Sequence, residues 1–215
     1  MNNDTTINKL QTKKKYLFPE ISNKSFDDIK IDTESYNFVT QKNEADKISK
    51  IIVDKLNNNN INKIIDITAG VGGNVLSFSK YFNHVYAVEI DRLRSSYLEN
   101  NCKLYNCNNV TIINEDSYNI ICNKLITDIS AVFFDPPWGG KNYKNIKNLR
   151  LKLNNTNIED ICKIIYQQLN NVSIVTLKLP HNYDIKFLEN ELSHQYIFEY
   201  HFLKKMLIVI LTKKI

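Results

Sequence analysis

Apolar and polar positions along this chain fall into blocks of helical period and blocks of strand period. Between Ala45 and Leu56 the apolar residues Ala45, Ile48, Ile51, Ile52 and Leu56 recur at helical spacing, which predicts a helix. The polar run Asn57–Asn60 stops it. The period then changes repeatedly. Lys63–Thr68 reads as a buried strand and Gly73–Tyr81 as a helix, and His84–Ile90 with Arg92–Tyr105 repeats the pair. Val110–Asn114 and Ser130–Phe134 are two further strands. Ile158–Leu169 is a helix with Ile161, Ile164, Ile165 and Leu169 on one face, and Ser173–Leu179 is a fifth strand.

Strands alternating with helices need crossover connections, so the sheet is expected to be mostly parallel. The last residues break the alternation. Gln195–Leu203 and Met206–Thr212 are β-rich runs separated only by Lys204 and Lys205, which predicts an antiparallel hairpin. The fold class is therefore α/β, a Rossmann-like, mostly parallel sheet ending in a hairpin. Residues 1–44 show weak periodicity and read as an irregular arm in front of a domain spanning 45–215.

Length and composition narrow the class further. A chain of 215 residues with 43% hydrophobic and 24% charged positions can bury one sizeable core. The longest wholly apolar run, Met206–Leu211, is too short to cross a bilayer, so no membrane partner is expected. The polar opening residues lack the apolar stretch of a secretory leader, which favours a nuclear or cytoplasmic protein, cellular or viral, over a secreted one. Cys102, Cys107, Cys122 and Cys162 show no metal-ligand spacing and read as free thiols in a reducing compartment. The net charge of +5 suits an anionic partner, and Lys141, Lys144 and Lys147 cluster behind the most unusual loop of the chain.

Two loops carry the chemistry. "DITAGVGGN", Asp66–Asn74, lies between the first strand and its helix. Gly70, Gly72 and Gly73 let the backbone turn sharply and approach a ligand closely. Glu89 ends the second strand, where a carboxylate can hold ribose hydroxyls, and Asp116 follows the third. The glycines stand as G-x-G-G and miss the G-x-G-x-x-G dinucleotide spacing. Asp66 before the turn disfavours a pyrophosphate and suits a ligand with a cationic amino-acid end. S-adenosylmethionine fits, with its ammonium and sulfonium near Asp66, ribose on Glu89 and adenine near Asp116.

The second loop, "FFDPPWGGKNY" at 133–143, uses two of four prolines, two of five glycines and the sole tryptophan. Asp135 and two prolines form a stiff turn with few N–H groups, presenting acceptors at fixed positions. Such acceptors hold the N–H groups of an aryl amine and aim its lone pair, a catalysis that rests on orientation. Trp138 offers a flat aromatic face. An indole face attracts a cationic aromatic ring by about 0.5–2 kcal/mol beyond ordinary stacking.

Together these motifs resemble the trimethylguanosine synthase family, which methylates the 2-amino group of a 7-methylguanosine RNA cap. The similarity runs from about Phe26 to the C-terminus through "FDDIKIDTESYNFVT", Asp66–Asn74, Asn100–Asn101, "PPWGG" at 136–140 and "LPHN" at 179–182. The resemblance implies a class I S-adenosylmethionine-dependent fold, capped RNA as partner and action as a monomer. It implies cofactor contacts at Thr40, Asp66, Gly70, Gly72, Asn74, Glu89 and Asp116. It places Asp135, Pro136 and Trp138 at the reacting base, with Asn101 reaching that base. Tyr143, His181, Lys30 and Lys141 fall near the cap phosphates, and no metal is implied. The chain departs from the family in having Asp135 for Ser, His181 for Arg and no glycine in the pre-core segment. The alternatives are another amino methyltransferase with the same motif, acting on ribosomal guanine N2, adenine N6 or glutamine N5, and a cap-binding module without catalysis.

Overall fold

The structure, a computed structural model, describes residues 12–21, 25–56 and 63–214, with the Lys141 side chain and the polar run at Asn57–Asn60 outside the described part. Among the described residues the predicted elements are present with their ends within three positions, and two short helices and a short hairpin add to them. Residues 12–17 form a helical segment (α1), followed by 3₁₀ turns at Phe26–Asp28 and Ser35–Asn37. Then come α2 (Lys42–Lys55), β1 (Lys63–Asp66), α3 (Val75–Tyr81), β2 (His84–Val88), α4 (Arg92–Leu104) and β3 (Val110–Ile113). The second half holds α5 (Ser117–Cys122), β4 (Ala131–Phe134), the short hairpin β5 (Lys152–Leu153) and β6 (Thr156–Asn157), and α6 (Ile158–Gln168). It ends with β7 (Ile174–Leu179), α7 (Ile185–Leu192), β8 (Tyr196–Phe202) and β9 (Leu207–Lys213).

Seven strands form one sheet in the order β3-β2-β1-β4-β7-β9-β8, parallel except where β9 pairs with its neighbours β7 and β8. The order reverses between β1 and β4, the switch point at which open α/β sheets bind ligands. Both faces are covered. One face packs Ile48 and Ile52 of α2, Phe78 of α3 and Leu98 of α4 over Ile64, Phe133 and Ile208. The other packs Ile120 of α5, Ile161 and Ile165 of α6 and Leu188 of α7 over Ile65, Phe134 and Val209. Being covered twice, β4 and β7 are buried at every position, which explains their continuous apolar reading.

The arm is more ordered than its weak periodicity predicts. Leu17, Phe18 and Ile29 are buried in the same core as α2 and α3. Three side chains of α4 hold it. Asn101 receives the Lys30 N–H and donates to the Lys30 and Val71 carbonyls, all at 2.9 Å. Asn100 donates to the Asp28 carbonyl, and Arg94 pairs with Asp32 and Glu34. At the far end of the arm, a Cβ built on Gly73 would lie 2.9 Å from Val39 Cγ1 and 3.0 Å from the Thr40 carbonyl. Only glycine lets the arm settle onto the turn after β1. No helix among the described residues is long and apolar enough to cross a membrane.

Candidate active site

The carboxyl ends of β2, β1, β4 and β7 bring the predicted residues together. Asp66 closes β1, fully buried, and opposes Ala87 and Phe133 in the neighbouring strands. Glu89 and Asp135 each lie two residues past those partners. Beyond Asp66 the chain turns through Gly70 and Gly72, both at positive φ. A Cβ on Gly72 would also meet Leu98 at 2.8 Å. The turn is held from the side: Glu89 Oε2 accepts the Gly70 N–H at 2.7 Å, and its Oε1 accepts the Asp91 N–H at 2.9 Å.

Asp66 Oδ1 accepts the Thr68 N–H at 2.9 Å, whereas its Oδ2 is buried without a partner. Burial pushes this carboxyl up to about 7. The hydrogen bonds from Thr68 oppose the shift, and repulsion from Asp135 and Glu89 adds to it. Asn74 Oδ1 is likewise buried and unpaired. Two unsatisfied buried acceptors beside a glycine turn fit the ammonium of an amino-acid ligand. Among the described residues no acidic, His or Cys cluster could hold a metal ion. Two surface cavities, of about 250 and 300 Å³, lie along the arm, and neither is lined by Asp66, Glu89 or Asp135.

Thr68 joins the two loops, because its hydroxyl donates to Asp66 and accepts the Asp135 N–H at 2.7 Å. Asp135 then meets a residue that sequence reasoning missed. Leu177 opposes Phe134, so the next residue of β7, Lys178, stands beside Asp135. The Lys178 ammonium, on a residue only 4% exposed, lies 2.5 Å from Asp135 Oδ2 and 2.8 Å from Thr40 Oγ1. It is also 5.6 Å from the centre of the Trp138 ring. Burial pushes the Asp135 carboxyl above its ordinary range, and Lys178 pulls it back. Thr40 accepts a second bond, from Asn74 Nδ2 at 3.1 Å, so the arm completes the wall of the site.

Pro136 is buried and Trp138 is half-buried between both cores, its Nε1 enclosed without an acceptor. Tyr143 packs edge-on against the indole at 5.2 Å. Gly139 and Gly140, at φ 88° and 75°, turn the chain into the 3₁₀ segment Gly140–Asn145. Asn182 holds that segment through the Tyr143 and Ile146 carbonyls, at 2.7 Å each. His181, its neighbour, is exposed and stacks on Phe202.

The remaining predicted residues have other partners. Asn101 does not reach a base: it is fully buried and its amide is spent on Lys30 and Val71. Lys30 is fixed there by its backbone and its side chain is exposed. Asp116 caps α5 through the Tyr118 N–H and accepts from Asn154, while remaining partly accessible.

Known proteins resemble this chain in sequence and in fold. The family model described as RNA cap guanine-N2 methyltransferase matches residues 61–208. An uncharacterised protein of Acanthamoeba polyphaga mimivirus is 36% identical over 93% of this chain and 85% of its own. The trimethylguanosine synthase of Schizosaccharomyces pombe is 31% identical over 74% of this chain, which spans 65% of that protein. Among solved structures, the precorrin-6y C5,15-methyltransferase of Geobacter metallireducens superposes with a TM-score of 0.59 at 15% identity, covering 87% of this chain and 95% of that one. A Streptococcus mutans protein assigned as a methyltransferase, crystallised with SAH, gives 0.54 at 17% identity, covering 76% and 96%.

Proposed function

This chain belongs to the RNA cap guanine-N2 methyltransferase family, with S-adenosylmethionine as its cofactor, and from that premise we propose that it methylates the exocyclic N2 amine of a 7-methylguanosine RNA cap. The observation that carries the reading is the joining of the two loops through Thr68 at the β1–β4 switch point. The glycine turn with its unpaired carboxylate and amide oxygens stands next to the Asp-Pro-Pro-Trp turn. S-adenosylmethionine, when bound, supplies an electrophilic methyl group, and the placement of the side chains supports the following roles.

Asp66, Asn74 and Glu89 bind the cofactor, with Gly70 and Gly72 shaping the turn and Asp116 at its edge. Lys178 fixes Asp135 through Oδ2, which leaves Oδ1 as a single, oriented acceptor for an amine N–H. Pro136 stiffens that acceptor and Trp138 stacks on the cationic purine. The base needs no strong proton acceptor of its own, since an alkylated arylamine is acidic and releases its proton readily. Tyr143 and His181 take the phosphate side. The arm, 1–44, contributes Thr40 to the site, and 45–215 form the methyltransferase domain.

The direct test is a mass-spectrometric count of methyl groups after incubation with S-adenosylmethionine and either 7-methyl-GTP or GTP. The reading expects transfer to 7-methyl-GTP only, and it expects Trp138→Ala to lose that preference while still binding S-adenosylhomocysteine. Equal transfer to GTP, or transfer only to adenine or a glutamine amide, refutes it.

A further inference from the structure

The site has an extension that the methyl-transfer chemistry does not use. Along one face of β8 the aromatic residues Tyr196, Phe198, Tyr200 and Phe202 follow one another at the strand period. The first three are covered: Tyr196 is buried, Phe198 and Tyr200 pack on the core, and the Tyr200 hydroxyl donates to Glu189 of α7 at 2.5 Å. The cover stops there. Phe202 is 73% exposed, the highest exposure of any large apolar side chain among the described residues.

Its neighbours are not those of a frayed edge. The His181 ring lies nearly parallel to it, at 7° with centroids 6.2 Å apart. Lys204 and Lys205 follow in the hairpin turn, both exposed. Strand register puts this cluster on the ligand-binding edge. Phe202 opposes Leu207, which opposes Leu179 at the end of β7, and β7 neighbours β4 with its Trp-bearing loop. Three interstrand steps, about 15 Å in all, separate the level of Asp135 from Phe202. Asn182 ties the intervening loop to Tyr143.

We propose that Phe202, His181 and the Lys204–Lys205 turn form a second binding site, which takes a base and phosphate of single-stranded RNA downstream of the cap. This deepens the cap reading and rests on it. An exposed ring offers its face to any base, and adjacent lysines neutralise phosphates, the combination that binds single strands without sequence preference. A triphosphate bridge and the first nucleotides span the gap from Trp138. His181 stands at the joint between the cap phosphates and the stacked base.

The test compares binding of 7-methyl-GTP with binding of a 7-methylguanosine-capped five-nucleotide RNA, using the full chain. The wild type is expected to bind the capped oligonucleotide about tenfold tighter. Phe202→Ala abolishes that advantage and leaves 7-methyl-GTP and S-adenosylhomocysteine affinities unchanged; Lys204→Gln with Lys205→Gln lowers the salt dependence of the oligonucleotide term only. Phe202 is exposed, so its loss does not threaten folding. A wild type with no such advantage, or a Phe202→Ala protein that keeps it, overturns the proposal. If 7-methyl-GTP does not bind, the cap reading fails by itself, and an uncapped oligonucleotide retained by the wild type but not by Phe202→Ala still supports the second site. A dimer in the wild type that becomes a monomer in Phe202→Ala assigns the patch to self-association and overturns it too.

Discussion

Replacing Lys178 with Met removes a cation from a wall that also holds Asp135, Thr40 and Trp138. The remaining Asp135 has two choices: to stay ionised in a site whose burial already raises its carboxyl, or to take a proton. The second choice caps the penalty. An Asp in an unfolded chain titrates near about 3.9, so neutralising it at pH 7 costs about three units at about 1.4 kcal/mol each, or about 4 kcal/mol. At pH 5 the same step costs about 1.5 kcal/mol. The sign is fixed by linkage. In the variant the folded-state carboxyl lies above its unfolded value, so stability is greatest below the unfolded value and is lost as pH rises toward the folded one. Urea denaturation of wild type and Lys178→Met at pH 5 and pH 7 measures the difference directly. The variant is expected to lose up to about 4 kcal/mol at pH 7 and no more than about 1.5 kcal/mol of charge penalty at pH 5. Adding Asp135→Asn removes the pH-dependent part. An equal loss at both pH values, or no recovery in the double variant, shows that Lys178 does not compensate Asp135.

Two further outcomes follow from the site. The proposed grip of Asp66 on a cationic ligand requires the ionised carboxylate, and burial pushes that carboxyl up to about 7. Calorimetric affinity for S-adenosylhomocysteine is therefore expected to rise about fivefold from pH 6 to pH 7, as the ionised share grows from about a tenth to a half. Asp66→Asn flattens the profile, and a flat wild-type profile removes Asp66 from ammonium binding. Asn101→Ala strips the Lys30 and Val71 backbone groups of their partners and is expected to cost about 3 kcal/mol of stability and speed proteolysis of the arm. Unchanged stability with a raised KM for the cap would return Asn101 to the substrate.

The alternating core was legible because covering a strand on both faces requires continuous apolar runs, and β4 and β7 carry them. The glycine turn and the Pro-Pro-Trp loop were legible because few residues can make those turns. The arm was not, since Leu17, Phe18 and Ile29 bury singly rather than periodically. α7 was missed although Asp184 caps it and Leu188 and Leu192 line its buried face, because eight residues give a weak period. Lys178 sits in a strand buried at every position and becomes meaningful only through the β4–β7 register. Asn101 shows the opposite error: an amide that clamps two backbones has the same sequence signature as one that reads a base.

The bond from Lys178 to Thr40 spans 138 positions of the chain. During synthesis the arm emerges early and its partner strand late, and contacts of such long range form slowly. A product ending before β7 lacks Lys178, and with it the contact that joins Thr40 of the arm to Asp135 of the Pro-Pro-Trp loop.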